Sequence, residues 1–261
     1  MKSLDLDGPL EFARHLADLA DAITLPHYSQ REFVVDRKPD RSEVTIADRD
    51  TEATLRSAVA EQFPEHGFFG EEAGVSGNVA SQWRWIVDPV DGTANFVRGI
   101  PVWATLIALT HRQHGPVVGV VAAPAMARRW WAARGRGAFV NGQPIHVSTI
   151  DSIADAQVCV TFSLGWDALG TTSKLVALQQ AAYRARGFGD FWQHMLVAEG
   201  AVEIAVDAIG VQPYDLAAPK IIVEEAGGRF TDRLGVVSYE SSSAISSNGV
   251  LHAEVLNRLR S

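Results

Sequence analysis

The sequence predicts a protein of the α+β or α/β class, folded in two halves. Apolar residues recur at helical spacing in several segments. Short β-branched or aromatic runs lie between them, bounded by Gly and Pro. From Asp151 onward the two kinds of segment alternate more strictly. We therefore expect a seam near residues 148–155, between an N-terminal half, 1–150, and a C-terminal half, 151–261, that form one unit.

The N-terminal half should contain two helices and several short strands. Residues 10–25 carry apolar side chains at helical spacing, and Pro26 should end that helix. A second helix is predicted at about 48–63, and two short strands around a polar turn at 39–42 should connect the helices. Later strands are predicted at 83–87, 103–109, 117–122 and 130–133. The dipeptide Asn141–Gly142 predicts a tight hairpin.

The C-terminal half should alternate strands with helices. Its strands are predicted at 158–162, 202–206 and 229–231, with one more inside the polar segment 241–247. Its helices are predicted at about 174–184, 191–199, 215–226 and 252–259.

Composition excludes several classes of protein. The chain of 261 residues has 23 basic and 31 acidic residues and a net charge of −8. This argues against non-specific nucleic-acid binding, which depends on clustered Lys and Arg. No apolar run reaches the roughly 18 residues of a membrane span, and the N-terminus lacks a signal-peptide pattern. With Cys159 as its one cysteine, the chain suits a reducing compartment, so we expect a cytoplasmic protein without nucleic-acid or membrane partners.

Residues 83–99, WRWIVDPVDGTANFVRG, carry the strongest chemical signal. An apolar strand should deliver Asp88 at its end, where Pro89 stops it, and Asp91 should follow in the turn. Two hard oxygen ligands at the mouth of a sheet favour Mg²⁺. Gly92 lets the backbone approach a ligand, and the amides of a helix beginning at Thr93 suit a phosphate. The pattern favours a phosphoryl-transfer site, although Asp88 and Asp91 could also serve as plain strand and helix caps.

Further carboxylates strengthen that interpretation. Glu71 and Glu72 follow an apolar run in FFGEEAG, Asp48 lies where a strand gives way to a helix, and Asp215 begins another helix. Taken singly, Asp48 and Asp215 could be helix caps and the glutamates could be solvated. Together these positions place carboxylates at the ends of four elements, as a multi-metal site requires.

Three motifs, GEE, DPVDGTANF and YDLAAPKIIVEEAGG, resemble those of the inositol monophosphatase superfamily of Mg²⁺-dependent, lithium-sensitive phosphatases. The similarity spans nearly the whole chain in the family's order. It implies an α+β fold, the layered α-β-α-β-α sandwich of the inositol monophosphatase and fructose-1,6-bisphosphatase type. Within the superfamily, GIPVWATLIAL, APAMARRWWAARGRGAF and RARGFGDFWQHMLVAEGAVEIA are most similar to actinobacterial histidinol-phosphate phosphatases.

The resemblance implies two to three Mg²⁺ ions per site, with Mn²⁺ as an alternative. Glu71, Asp88 and the carbonyl oxygen of Val90 would hold the first metal. Asp88, Asp91 and Asp215 would hold the second, and a weaker third metal would lie near Glu71.

The resemblance also implies the catalytic roles. Asp48 and Thr93 would orient a water that attacks directly and in line, with Glu71 as the third catalytic residue. The backbone amides of Gly92 and Thr93 would bind the phosphate. The substrate-binding residues predicted from the family are Asp91, Gly92, Thr93, Arg186, Gly189, Asp190 and Asp215.

The sequence departs from the family pattern at two positions. Tyr214 precedes Asp215 where Trp is usual. Ala208, with Asp207 beside it, occupies the position where inositol phosphatases carry a glutamate for the sugar hydroxyls. That carboxylate is absent or displaced, which weakens the case for inositol phosphate as the substrate.

Asp190, in GFGD and followed by Phe191 and Trp192, suits the cationic groups of histidinol phosphate. The alternative is that Asp190 caps the helix beginning at Phe191. Arg186 could serve the phosphate or a dimer seam, and Lys38 could lie near the metals or be a solvated loop residue.

The resulting prediction is a homodimeric histidinol-phosphate phosphatase that acts on a small-molecule phosphate monoester. The alternatives are an inositol-1-monophosphatase, another small phosphomonoesterase acting on a sugar phosphate or a nucleotide 3′-phosphate, and an inactive regulatory homologue.

Overall fold

The computed structural model describes residues 4–30, 35–37 and 43–260. Within these ranges the helices are α1 (Asp7–Gln30), α2 (Ile46–Gln62), α3 (Thr93–Arg98), α4 (Leu164–Ala168), α5 (Thr172–Ala181), α6 (Asp190–Ala198), α7 (Pro213–Glu225) and α8 (His252–Arg260). The N-terminal strands are β1 (Val35–Arg37), β2 (Glu43–Thr45), β3 (Gly67–Gly70), β4 (Gly74–Gly77), β5 (Trp83–Asp91), β6 (Ala104–His111), β7 (Gly115–Ala123), β8 (Arg128–Ala133), β9 (Ala138–Val140) and β10 (Gln143–Ile145). The C-terminal strands are β11 (Gln157–Val160), β12 (Arg184–Arg186), β13 (Ile204–Val206), β14 (Arg229–Thr231) and β15 (Ile245–Ser247).

Two large sheets alternate with three layers of helices, in the order helices, first sheet, helices, second sheet, helices. The first has the order β10-β9-β8-β7-β6-β5-β3-β4 and is antiparallel except where β3 pairs with β5. The second has the order β12-β11-β13-β15-β14. Helices α1 and α2 cover one face of the first sheet, α6 and α7 lie between the sheets, and α5 and α8 cover the outer face of the second. The predicted α+β layered sandwich is confirmed.

Strand alternation explains why the first sheet is covered on both faces. In β6, Leu106 and Ala108 pack into the core shared with α6 and α7, whereas Ile107 and Leu109 pack into the core under α1 and α2. Successive side chains of a strand point to opposite faces, so an unbroken apolar run fits a strand that is buried on both sides. The same central core takes in residues of the second sheet, so residues from both halves of the chain share it. The boundary near residue 150 stays a prediction.

Two element ends that were predicted at proline residues are wrong. Helix α1 continues through Pro26 to Gln30 because Tyr28 is anchored beyond the proline: its ring packs on Trp103 at 5.2 Å and its hydroxyl donates to the Gly99 carbonyl oxygen at 2.8 Å. Strand β5 continues through Pro89 to Asp91. The ladder with β6 is irregular between Asp88 and Asp91, which accommodates a residue without an N–H group.

Most other predicted elements are present with shifted ends. The β1–β2 pair and the Asn141–Gly142 hairpin are confirmed, the latter with φ angles of 48° and 84°. The predicted turn at 39–42 lies outside the described residues. The helix predicted to reach residue 184 ends at Ala181. The apolar run before Glu71 forms β3, and β4 and α4 were not predicted. No helix in the described ranges is long and apolar enough to cross a membrane.

Gly119 offers a test of the packing between the first sheet and α7. A Cβ at this position would lie 2.5 Å from Ile221 Cγ2 and 2.9 Å from the Ala218 carbonyl oxygen. We expect Gly119→Ala to lower the free energy of unfolding by about 1–3 kcal/mol, because overpacking a close interface forces the helix outward. Urea unfolding measures this change. Gly8→Ala in α1, where nothing lies within 4 Å, should leave stability unchanged or slightly raised, and equal losses in both variants would contradict the argument.

Candidate active site

Three carboxylates from two elements converge at one end of the first sheet. Asp88 and Asp91 lie in the last part of β5, and Asp215 lies in the first turn of α7. One oxygen from each of the three lies within 4.8 Å of the other two. Asp215 is held there by a capping box, in which the Gln212 N–H donates to its Oδ2 at 2.6 Å. The α7 cap and the irregular end of β5 thus bring both halves of the chain to one site.

Glu71 approaches the same place from the neighbouring strand. It follows directly after β3, which pairs in parallel with β5, so both strands end at the same edge of the sheet. The Glu71 N–H donates to the Val87 carbonyl oxygen at 3.3 Å. The charge of Glu71 helps to raise the pKa of Asp88.

Asp48 and Thr93 form the next layer of the site. Asp48 is buried in the first turn of α2, and its Oδ2 accepts from the N–H and the hydroxyl of Thr45. Thr45 is therefore the N-cap, and Asp48 belongs to its capping box rather than capping the helix alone. The Thr93 hydroxyl lies 3.3 Å from Asp48 Oδ1 and 2.9 Å from the Val90 carbonyl oxygen, and it can donate to either.

The backbone conformation and the close packing at position 92 require glycine. Gly92 is the N-cap of α3 with φ of 83°, and a Cβ at this position would lie 2.9 Å from the Val102 carbonyl oxygen. Only glycine adopts this conformation readily and fits the space, so the first turn of α3 can follow β5 directly.

Burial and mutual repulsion dominate the electrostatics of the carboxylates. Burial, together with the charges of Glu71, Asp91 and Asp215, raises the pKa of Asp88 well above its ordinary value. Burial and neighbouring carboxylates likewise raise the pKa of Asp91, and burial is the main cause that raises the pKa of Asp215 to about 7. A divalent cation would relieve this repulsion, and an all-oxygen donor set is the kind that hard cations prefer. The residues therefore fit a metal-dependent site.

Helix α6 closes the site from the C-terminal half. Asp190 begins this helix with φ of 47°, and its Oδ2 accepts from Asn95 Nδ2 at 2.9 Å. The N-cap is Gly189, and the Phe191 N–H donates to Asp91 Oδ2 at 2.7 Å. The helix is thus capped by the carboxylate of Asp91 and not by Asp190. Burial raises the pKa of Asp190 to about 6, and the charge of Asp207 adds to this.

Asp207 is a site residue that the sequence analysis did not select. It follows β13, is 6% exposed, and its charge helps to raise the pKa values of Asp91, Asp190 and Asp215. Its Oδ2 lies 2.9 Å from Nε2 of the buried His194, whose Nδ1 lies 2.8 Å from Ser246 Oγ. The available signal was a carboxylate at the end of an apolar strand, one residue before Ala208.

One predicted residue, Arg186, is not joined to this cluster by any contact in the described part of the chain. The Arg186 guanidinium donates to the neighbouring Ala185 carbonyl oxygen on the edge strand β12 and is exposed. Lys38 lies outside the described residues. Tyr214 packs against Phe69 at 5.8 Å, and burial, with the charges of Glu71 and Asp215, raises its pKa.

Comparison with known proteins identifies close relatives over almost the full chain. A sequence model described as the inositol monophosphatase family matches residues 5–261. The chain is 46% identical over 255 residues to a histidinol-phosphatase of Mycobacterium tuberculosis, covering 96% of this chain and 97% of that protein. It is 41% identical over 258 residues to a histidinol-phosphatase of Streptomyces coelicolor, covering 96% of each. Its fold is similar to that of the extragenic suppressor protein suhB from Bartonella henselae, with a TM-score of 0.89, 28% identity, and coverage of 97% of this chain and 99% of that one.

Carboxylate repulsion should make the stability of the metal-free protein depend on pH. The pKa of each crowded aspartate is higher in the folded protein than in the unfolded chain, so the folded state binds more protons between those two values. The free energy of unfolding in a chelator should therefore fall as pH rises from about 4, the ordinary aspartate value, toward 7 and above. Asp88→Asn should flatten this dependence and raise stability at pH 8 by about 1–3 kcal/mol.

Urea unfolding at pH 5 and pH 8 tests this, with Asp50→Asn, an exposed position on α2, as the control. If the metal-free wild-type protein became more stable between these pH values, carboxylate repulsion would not control the pH dependence of its stability.

Proposed function

The chain belongs to the inositol monophosphatase family, and from that premise we propose that it hydrolyses L-histidinol phosphate to L-histidinol and phosphate with Mg²⁺ as its metal. It is a metal-dependent phosphoric monoester hydrolase. The proposed substrate is supported by sequence identity: the chain is 46% and 41% identical to two histidinol-phosphatases, each over nearly the whole of both chains. Solved structures of inositol phosphatases have the same fold, and one from Thermotoga maritima is 28% identical with a TM-score of 0.86, which keeps inositol 1-phosphate as the second candidate.

The proposed metal ligands are the acidic residues that end β3 and β5 and begin α7. Glu71, Asp88 and the Val90 carbonyl oxygen would hold one Mg²⁺, and Asp88, Asp91 and Asp215 a second, with a weaker third site near Glu71. Support comes from the convergence of Asp88, Asp91 and Asp215, whose oxygens are all hard donors. When bound, the metals would lower the pKa of a water and neutralise charge on the ester oxygen.

The chain's own residues would orient the attacking water and bind the phosphate. The Thr93 hydroxyl and the Asp48 carboxylate, 3.3 Å apart, can together bind one water in a fixed direction. The amides of Gly92 and Thr93 would bind phosphate oxygens at the N-terminus of α3. The water oxygen bonds to phosphorus as the bond to the ester oxygen breaks. The attacking water gives up one proton, and the leaving alkoxide takes up one proton to become the alcohol. Positioning and charge stabilisation supply most of the catalysis in such a transfer.

The alcohol part of the substrate would meet two carboxylates. Asp190 and Asp207 are close enough for the charge of one to raise the pKa of the other, so a cationic group between them would relieve repulsion. Histidinol phosphate carries an ammonium group and an imidazole, whereas inositol carries only hydroxyls. Asp207, which is hydrogen-bonded to His194, would thus supply a carboxylate one residue before Ala208, the position where inositol phosphatases carry a glutamate. The roles of Gly189 and Arg186, a cytoplasmic location and a homodimer stay predictions from the sequence.

A substrate panel tests the proposed function directly. With Mg²⁺ and L-histidinol phosphate, inositol 1-phosphate, fructose 1,6-bisphosphate and a nucleotide 3′,5′-bisphosphate, we expect the highest kcat/KM on L-histidinol phosphate. Phosphate release measures each rate, and a chelator should abolish all of them. A clear preference for inositol 1-phosphate would replace the proposed substrate while leaving the hydrolase intact.

Asp190→Asn and Asp207→Asn test recognition of the cation. Each should raise KM for L-histidinol phosphate roughly ten- to a hundredfold, because a hydrogen bond to a charged group contributes about 1.5–3 kcal/mol. Kinetics on p-nitrophenyl phosphate, whose alcohol part carries no positive charge, should change much less. Asp155→Asn, at an exposed position, is the matched control. Equal losses on both esters would mean that these carboxylates act on the phosphate or the metals and not on the cation.

A further inference from the structure

Glu52 is a buried carboxylate outside the proposed metal site. It lies one turn after Asp48 in α2, and only 2% of it is exposed. Its Oε2 accepts from the Glu72 N–H at 2.6 Å, and its Oε1 accepts from the Ala73 N–H at 2.9 Å. Both amides belong to the loop that directly follows Glu71. The helix that carries Asp48 toward the site therefore also holds this loop with a second carboxylate.

The charge of Glu52 is compensated from its own helix. Arg56, one turn further along α2, forms an ion pair with Glu52 Oε1. The same guanidinium lies over the ring of Phe68 in β3, 5.2 Å from its centre. The buried carboxylate thus has a cationic partner, which offsets the cost of burying its charge while it accepts from the two backbone amides.

Gly70 provides the space that this carboxylate occupies. A Cβ on Gly70 would have the three carboxylate atoms of Glu52 as its nearest neighbours, at 2.3–2.5 Å. The backbone of Gly70 does not have the positive φ that would itself require glycine. Because Gly70 has no side chain, the Glu52 carboxylate can pack directly against the backbone of the residue before Glu71.

Glu71 is held from both sides as a result. Its own N–H donates to the Val87 carbonyl oxygen of β5, and the next two amides along the chain donate to Glu52. Partners that orient a metal-binding carboxylate commonly change metal affinity or activity by about 10–100-fold when they are removed. We propose that Glu52 is a positioning residue that fixes the Glu71 loop for metal binding. This inference rests on the proposed role of Glu71 as a metal ligand.

Two substitutions disturb this contact in different ways. Glu52→Gln keeps the size of the side chain but replaces one acceptor oxygen by an amide donor that faces a backbone N–H. Gly70→Ala keeps the charge but displaces the carboxylate by direct contact. Each should weaken Mn²⁺ binding about tenfold, measured by calorimetry or by the electron paramagnetic resonance signal of free Mn²⁺. The Mg²⁺ concentration for half-maximal activity should rise similarly, while kcat at saturating Mg²⁺ should stay within a few-fold of wild type.

Controls separate positioning from general damage. Glu61→Gln makes the same change at an exposed position of α2 and should bind Mn²⁺ like wild type. In a Glu52→Ala background, Gly70→Ala should cause little further loss, because the atoms it would strike are gone. Thermal unfolding followed by circular dichroism shows which variants are folded, and Gly70→Ala decides the matter if Glu52→Gln does not fold.

A Glu71→Gln variant distinguishes failure of this inference from failure of the proposed function. If Glu71→Gln loses Mn²⁺ affinity while folded Glu52→Gln and Gly70→Ala bind like wild type, the positioning role is wrong and the metal site stands. If Glu71→Gln also binds like wild type, Glu71 is not a metal ligand, and both assignments fall. Additive losses in the Glu52→Ala and Gly70→Ala double variant would also overturn the inference, because they would show two independent effects.

Discussion

The crowding of three poorly solvated carboxylates, of which Asp88 is buried and the other two are partly buried, is the constraint on which the rest of this structure depends. Two unit charges about 4 Å apart repel by about 4 kcal/mol at the effective dielectric of a protein surface, a large part of the roughly 5–15 kcal/mol that keeps a typical domain folded. Asp88, Asp91 and Asp215 have oxygens within 4.8 Å of one another. The sandwich holds them there because β5 lies inside the first sheet and α7 is packed between two sheets. The packing of the apolar core around these elements therefore offsets the free energy that the repulsion costs the folded protein.

The two halves of the chain meet through this same cluster. Asp91 from β5 accepts the Phe191 N–H at the start of α6, and Asn95 from α3 donates to Asp190. A carboxylate that is proposed to bind metal thus also caps the helix that carries Asp190, the residue proposed to recognise the substrate. If both proposals hold, a change at the metal centre would also act on the residues that meet the alcohol part of the substrate. The left-handed backbone of Asp190 is compatible with this docking, since Asp tolerates that conformation better than most residues.

The sequence predicted what depends on local pattern and missed what depends on distant contacts. Short β-branched or aromatic runs bounded by Gly and Pro identified β6 and β7, and the spacing of Asp88 and Asp91 identified the acidic site. Helix α1 passes through Pro26 because Tyr28 packs on residues about 70 positions away, which no local rule contains. Glu52 contacts the Glu71 loop across 20 residues. An isolated Glu in a helix carries no sequence signal for such a role.

In the proposed function, substrate preference would depend on the positions of a few carboxylates. Proteins with TM-scores of 0.89 and 0.86 to this chain are only 28% identical to it, so the same sandwich tolerates wide change in sequence. Here Ala208 lacks the expected carboxylate, but Asp207 supplies one, and His194 with Ser246 holds it in place. Because Asp207 is 6% exposed and close to Asp190, its charge acts on that neighbouring carboxylate in a poorly solvated space. In the proposed function a cationic alcohol would relieve the repulsion between the two carboxylates, whereas a neutral polyol would not, and this difference would give the site a physical basis for choosing between them.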